Sequence, residues 1–178
     1  MPGMIGLDIA PGLTGWAFIS GTNTPIADAW KFPACGDDLG ALACAHEDEL
    51  DRLFRMFDPD GLTYEEPIIR SWDKIDTLRK TYGLGMQTEH FCRRRGVVYR
   101  EASVQKVKAQ MTGERWAEKS DVVKAALSLG IELPALDSDG RKDAADAVGA
   151  AIYGLAEHDP PTWAYFDSLL NASRGQLL

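Results

Sequence analysis

The chain has 178 residues, 45% hydrophobic and 26% charged, a balance that excludes a disordered chain and fits one domain with a full-sized core. Its formal charge of −8 argues at first sight against a nucleic-acid partner, and no apolar run reaches the roughly 18 residues of a membrane span. Cys35, Cys44 and Cys92, an odd number at unrelated spacings, suit a reducing cytoplasm without a disulfide framework, and the lack of a CxxC pair argues against zinc at Cys35, Cys44 and His46 or at His90 and Cys92.

Residues 4–10 alternate Ile5, Leu7 and Ile9 with Gly6, Asp8 and Ala10, the period of a strand. The small residues in between imply cover on both faces, and Asp8 is the one charge in the run. A carboxylate there is costly unless a cation or metal offsets it. Bonding to the N–H groups of the next turn is the simpler alternative. Met1-Pro2-Gly3 leads straight into this strand, so no signal peptide is expected. Pro11-Gly12 predicts a turn, residues 14–19 a returning strand and residues 26–32 a third, together an antiparallel meander.

Asp37-Asp38 predicts the start of a helix through Phe57, with Leu39, Leu42, Leu50, Leu53, Phe54 and Phe57 at helical intervals and Glu47, Asp48, Glu49 and Asp51 on a solvated side. Residues 62–69 read as a strand ending near Pro67, whose Glu65 and Glu66 must face opposite sides. Residues 72–95 predict a long helix with Ile75, Leu78, Tyr82, Met86 and Phe91 along one side. Arg93, Arg94 and Arg95 would suit its C-terminus by dipole alone. A strand at 97–102, helices at 103–111 and 118–129, and a turn-rich loop at 133–140 follow. Ser138 or Asp139 can cap a helix running to about Glu157, and Pro160-Pro161 should break the chain before a last helix near 163–170.

Asp143 and Asp146 lie three apart and so are neighbours on one helix face, with Ala147, Ala150 and Gly154 beside them. Ala144, Val148, Ala151 and Leu155 form the adjoining apolar stripe. Small residues let a helix backbone approach a sheet and bring both carboxylates onto its edge. Acids in a first turn also complement the helix dipole, which explains Asp143 better than Asp146. The order of a strand Asp, a strand Glu and a helical Asp-x-x-Asp is more specific. Hard oxygen ligands suit Mg²⁺ or Mn²⁺, and four carboxylates can hold two such ions and activate water for in-line attack on a phosphodiester.

This pattern resembles the RNase H-like superfamily and, within it, the RuvC-type Holliday junction resolvases. The resemblance runs from Gly6-Leu7-Asp8-Ile9-Ala10-Pro11-Gly12 with Thr14-Gly15, through Pro59-Asp60 and Tyr64-Glu65-Glu66, to Val107-Lys108, Ala117-Glu118-Lys119-Ser120 and Asp143-Ala144-Ala145-Asp146-Ala147. It implies one domain over residues 1–178 with an α/β fold: a mixed five-stranded sheet, its first three strands antiparallel, and helices on both faces. It also implies a cytoplasmic homodimer, pairing near the 72–95 helix, that resolves branched DNA in recombination and repair. Asp8, Glu65, Asp143 and Asp146 are then the metal-binding catalytic acids, holding two Mg²⁺ or Mn²⁺ ions. Glu65 is preferred to Glu66 by its spacing from Pro59-Asp60. Lys108 and Lys119 fall on lysines that contact DNA or assist at the scissile phosphate; read without the family, each is a solvated surface lysine. The chain departs from the family at Pro67-Ile68-Ile69, which lacks an aromatic wedge, and in the loop carrying Glu114, Arg115 and Trp116. Such departures fit a phage-type relative.

The charge is unevenly spread. Residues 70–124 hold thirteen Lys/Arg against seven Asp/Glu, a balance of +6, so the remainder carries −14. Arg93, Arg94, Arg95, Lys106, Lys108, Arg115 and Lys119 are therefore the expected phosphate contacts. Actin-like ATPases open on a similar strand and turn but need two such domains. An RNA-processing nuclease of the YqgF type and a non-catalytic branched-DNA-binding relative are the competing readings.

Overall fold

Five strands form the central layer: β1 (Gly3–Asp8), β2 (Leu13–Ser20), β3 (Ile26–Lys31), β4 (Gly61–Glu65) and β5 (Val98–Ala102). Around them lie α1 (Leu39–Phe57), α2 (Ile75–Arg95), α3 (Val104–Thr112), α4 (Lys119–Ser128), α5 (Ser138–His158) and α6 (Pro160–Gly175). The structure, a computed structural model, describes residues 3–68, 74–133 and 138–175. The sheet order is β3-β2-β1-β4-β5. β1 and β3 run antiparallel to β2, whereas β4 and β5 run parallel to β1, as the sequence predicts for the meander.

The alternation in β1 divides its side chains between two cores. Ile5 and Leu7 join Leu50, Leu53 and Phe54 of α1 and Leu84 and Phe91 of α2 on one face. Met4 joins Ala144, Ala147, Val148 and Ala151 of α5 on the other. Burying a large apolar side chain contributes about 1.5–3 kcal/mol, so the first face carries much of the stability. The second is built for closeness. A Cβ on Gly6 would lie 2.0 Å from the Ala147 carbonyl oxygen, and one on Gly15 would lie 2.1 Å from that of Asp143. Only glycine lets α5 sit this near β1 and β2.

Local signals account for most helix ends. Asp38 caps α1 by accepting from the Ala41 N–H at 3.0 Å. Asp58 closes it in the left-handed region at φ 46°, its N–H donating to the Phe54 carbonyl at 3.0 Å.

Several expectations need correction. β4 stops at Glu65, short of Pro67, and its expected end at Ile69 lies outside the described residues. Pro160-Pro161 does mark the break between α5 and α6, but the last helix starts at the prolines themselves and runs to Gly175, not only over 163–170, because the first turn of a helix has no use for the missing N–H groups. The Asp159 carboxylate caps it, accepting from the Thr162 hydroxyl at 2.6 Å. The side of α2 assigned to Ile75, Tyr82 and Met86 is exposed, while Leu84, Thr88, Phe91 and Cys92 face inward. Trp72, the expected start of α2, and the Ser138 side chain as a cap of α5 lie outside the described residues. Among the described residues no helix is long and apolar enough to cross a membrane.

Candidate active site

The parallel pairing of β1 and β4 sets Leu7 opposite Tyr64, so the next residues out, Asp8 and Glu65, come side by side at the ends of their strands. Both point toward α5, since Asp8 shares the face of Met4 and Gly6. Glu66 is exposed and falls on the other face, its backbone N–H donating to the Ala102 carbonyl at 2.8 Å. The close approach of α5 then delivers Asp146 from its buried side. One oxygen from each of Asp8, Glu65 and Asp146 lies within 4.8 Å of the others.

The Lys119 ammonium, at the start of α4, binds this group together. Its Nζ is 2.8 Å from Asp146, 3.0 Å from Asp143 and 3.5 Å from Asp8. Asp143 therefore joins the cluster through the lysine. Three carboxylates contact one ammonium, Glu65 adds a fourth negative group beside them, and burial adds to their mutual repulsion. Burial raises Asp8 from 3.8 to about 7; Lys119 pulls it down, while Asp146 and Asp143 push it up. Glu65 is held well above its ordinary range by burial first, then by Asp8 and Asp146. Asp146 is also raised by burial, against the opposing pull of Lys119. Burial alone would lower Lys119, but Asp8 and Asp146 outweigh it and hold the ammonium above its usual value.

The residues fit a hard divalent cation. The donors are all carboxylate oxygens, they converge from two strands and a helix, and Glu65 Oε1 is buried with no hydrogen-bond partner. A buried acceptor left without a donor is costly, and a cation is the group that would satisfy it.

The basic residues separate into two sets. Lys108 donates from Nζ to the Ala117 carbonyl at 2.6 Å, and its charge still lowers Glu65 and Asp146. Lys106 on α3 and Arg115 in the loop between α3 and α4 are exposed. The arginine triplet lies elsewhere. It precedes β5 at the strand's N-terminal end, whereas the carboxylates sit at the C-terminal ends of β1 and β4. The five residues of β5 put about 15 Å between the two edges. Arg94 pairs with Glu47 at 3.5 Å, Arg95 pairs with Asp51 and lies 4.4 Å over the Phe91 ring, and Arg93 donates to the Tyr99 hydroxyl at 3.2 Å. Glu47 and Asp51, expected to be merely solvated, thus tie α1 to α2.

The sequence did not show that Lys119 supplies the cation required by Asp8. The resemblance puts Lys119 at the scissile phosphate, but its place after the helix-opening Glu118 does not by itself indicate an ion pair with a residue 111 positions away. Trp116, whose indole projects into solvent, was also given no role; an aromatic inside a polar loop was the signal.

The layers and strand order define an RNase H-like α/β fold with its acidic cluster at the open end of the parallel strands. Solved structures of Holliday junction resolvases share this fold. Thermus thermophilus RuvC matches with a TM-score of 0.64 and 16% identity, covering 85% of this chain and 96% of that one. The same organism's RuvC in complex with a Holliday junction substrate gives 0.68 and 16%, over 85% and 91%. The yeast mitochondrial Holliday junction resolvase Ydc2 gives 0.61 and 15%, over 98% and 84%. No protein-family model and no curated protein matches the sequence.

Proposed function

We propose that residues 1–178 are one nuclease domain, a metal-dependent endonuclease that resolves four-way or related branched DNA by hydrolysing phosphodiester bonds. The observation that carries the reading is the convergence of Asp8, Glu65 and Asp146 within 4.8 Å, with Asp143 linked through Lys119, on a fold shared with resolvases. Asp8, Glu65, Asp143 and Asp146 would hold two Mg²⁺ or Mn²⁺ ions. When bound, such ions neutralise developing charge on the phosphate and lower the pKa of water.

The chain's own residues do the rest. Burial raises Glu65 and Asp146, which makes each, in its ionised form, a stronger acceptor for a proton from an attacking water. Lys119 presents an ammonium to the phosphate oxygens, and Lys106, Lys108 and Arg115 extend that positive surface along the DNA. Arg93, Arg94 and Arg95 reach DNA only if a second duplex arm wraps the opposite edge. Two symmetric nicks in one junction require two sites, and the exposed Ile75, Tyr82 and Met86 of α2 offer the surface for a two-fold homodimer.

The test compares a labelled four-way junction, a linear duplex and a structured RNA in Mg²⁺ or Mn²⁺. Selective nicking of the junction is expected, lost in Asp146→Asn and Glu65→Gln and retained in Glu66→Gln. Cleavage of the RNA in preference to the junction would give the site to RNA processing instead. Undiminished nicking by Asp146→Asn would remove the catalytic assignment altogether.

A further inference from the structure

Trp116 is the most exposed large hydrophobic side chain among the described residues, at 78%. Leaving an indole in water forgoes the burial that usually accounts for a tryptophan. Its backbone, in contrast, is fixed on both sides. Lys108 Nζ donates to the Ala117 carbonyl at 2.6 Å, and Ala117 itself is buried. The Ala117 N–H reaches the Glu114 carbonyl at 3.4 Å, and the Glu114 N–H donates to the Thr112 hydroxyl at 3.1 Å. The loop is a fixed bracket holding a free indole.

Its position is functional ground. Lys119, whose Nζ touches Asp146 at 2.8 Å, is three residues away, so the two Cα atoms are at most about 11 Å apart. Successive bases along a strand are about 3.4 Å apart, so a backbone separation of that size corresponds to only a few nucleotides from a phosphate held at the carboxylates. Exposed Arg115 precedes it, and the Lys119 ammonium follows three positions on. An aromatic face set among cations is the composition that single-stranded or unpaired nucleotides select.

We infer that Trp116 is a stacking platform for an unpaired nucleobase beside the scissile phosphate, and thereby a positioning residue that favours branched over continuous DNA. The inference rests on the nuclease reading of the carboxylate site. Inside a duplex both faces of every base are covered by neighbours. At a branch point, gap or end one face is open, and only there does the indole gain a partner. The preference arises from stacking, so it tolerates any base sequence.

The experiment uses the full chain with Asp146→Asn throughout, so that bound DNA stays uncut. A four-way junction carrying 2-aminopurine at the branch nucleotides and a linear duplex of matched sequence are titrated with this protein, alone and with Trp116→Ala or Trp116→Phe added. Trp116→Ala should weaken junction binding by about 5- to 150-fold, leave duplex binding unchanged and abolish 2-aminopurine quenching. Trp116→Phe should restore most of both effects. Equal weakening on the two DNAs, or none, overturns the inference, as does loss of self-association in Trp116→Ala with the junction-to-duplex ratio intact. Otherwise wild-type protein that neither binds nor nicks any branched DNA removes the nuclease reading, and the stacking role with it. Wild-type protein that selects junctions, with Trp116→Ala selecting them equally, removes the stacking role alone.

Discussion

The two faces of the sheet solve different problems. Toward α1 and α2 the side chains are large: Trp16, Trp30, Phe54, Tyr64 and Phe91 fill the space, and Arg94 and Arg95 tie the helices together from outside. Toward α5 they are small, with Ala144, Ala147 and Ala151 against Gly6 and Gly15. Large residues supply buried area at the cost of distance, and small ones supply proximity at the cost of area. The comparison teaches that the carboxylates meet because one face gives up bulk, while the other face provides the stability that this requires.

A pair of substitutions should separate these roles most sharply. Gly6→Val would drive side-chain atoms into the Ala147 carbonyl, already 2.0 Å from an ideal Cβ, and displace α5 together with Asp146. Overpacking of this kind costs about 1–3 kcal/mol or more, and the stabilisation by Mn²⁺ should vanish with it. Leu53→Ala on the opposite face should cost about 2–5 kcal/mol yet keep the ion-induced rise in Tm. Calorimetry with and without Mn²⁺ checks both, and equal loss of the ion effect in the two variants would erase the division.

A smaller effect of opposite sign is expected at Glu65. Its unpartnered Oε1 sits among acids, where an amide would offer a donor. Glu65→Gln should therefore raise the metal-free Tm, by about 2–4 °C for each kcal/mol recovered, while abolishing the response to ions. A fall in the metal-free Tm would mean that the carboxylate is satisfied in a way the cluster geometry does not suggest.

The acidity of the same edge gives a pH signature. Asp8 has a folded value of about 7, above the ordinary 3.8, so between these limits the folded state holds the extra proton. Stability from this group therefore falls as pH rises through that window, and the raised Glu65 and Asp146 act in the same direction. Wild type minus Asp8→Asn, measured without metal, should show Tm decreasing from about pH 4 to about pH 7. Stabilisation by Mn²⁺ should grow over the same range as protons cease to compete. A difference curve that rises would reverse the assignment. The weakest change is Arg95→Ala on the α1/α2 face, expected to cost about 1 kcal/mol or less in thermal scans and to leave ion binding unaltered.

Much of this division is legible in the chain itself. Alternation in residues 4–10 and the Asp-x-x-Asp spacing place both strand and helix carboxylates, because side-chain direction in regular elements is a local property. The small residues of α5 announce a close approach in the same way. What stays hidden depends on contacts between distant elements. Lys119 becomes the counter-ion of Asp8 only when α4 docks beside β1, and Arg95 meets Asp51 only when α2 lies along α1. The inward side of α2 is only partly legible for the same reason: Phe91 is buried as expected, but Ile75, Tyr82 and Met86 look like core until the fold selects Leu84 and Cys92 in their place. Pro160-Pro161 marks the break between α5 and α6 correctly, but the exact start of α6 is less legible, since two prolines fit the first turn of a helix as readily as the loop before it.

The ammonium of Lys119 has one more consequence, for the order of events in the protein's life. Domains that fold around zinc wait for their metal, because nothing else neutralises their ligands. Here the chain carries a stand-in for that charge, so the sheet edge can collapse around acids before any ion arrives. Assembly of this edge is thereby uncoupled from any loading of an ion.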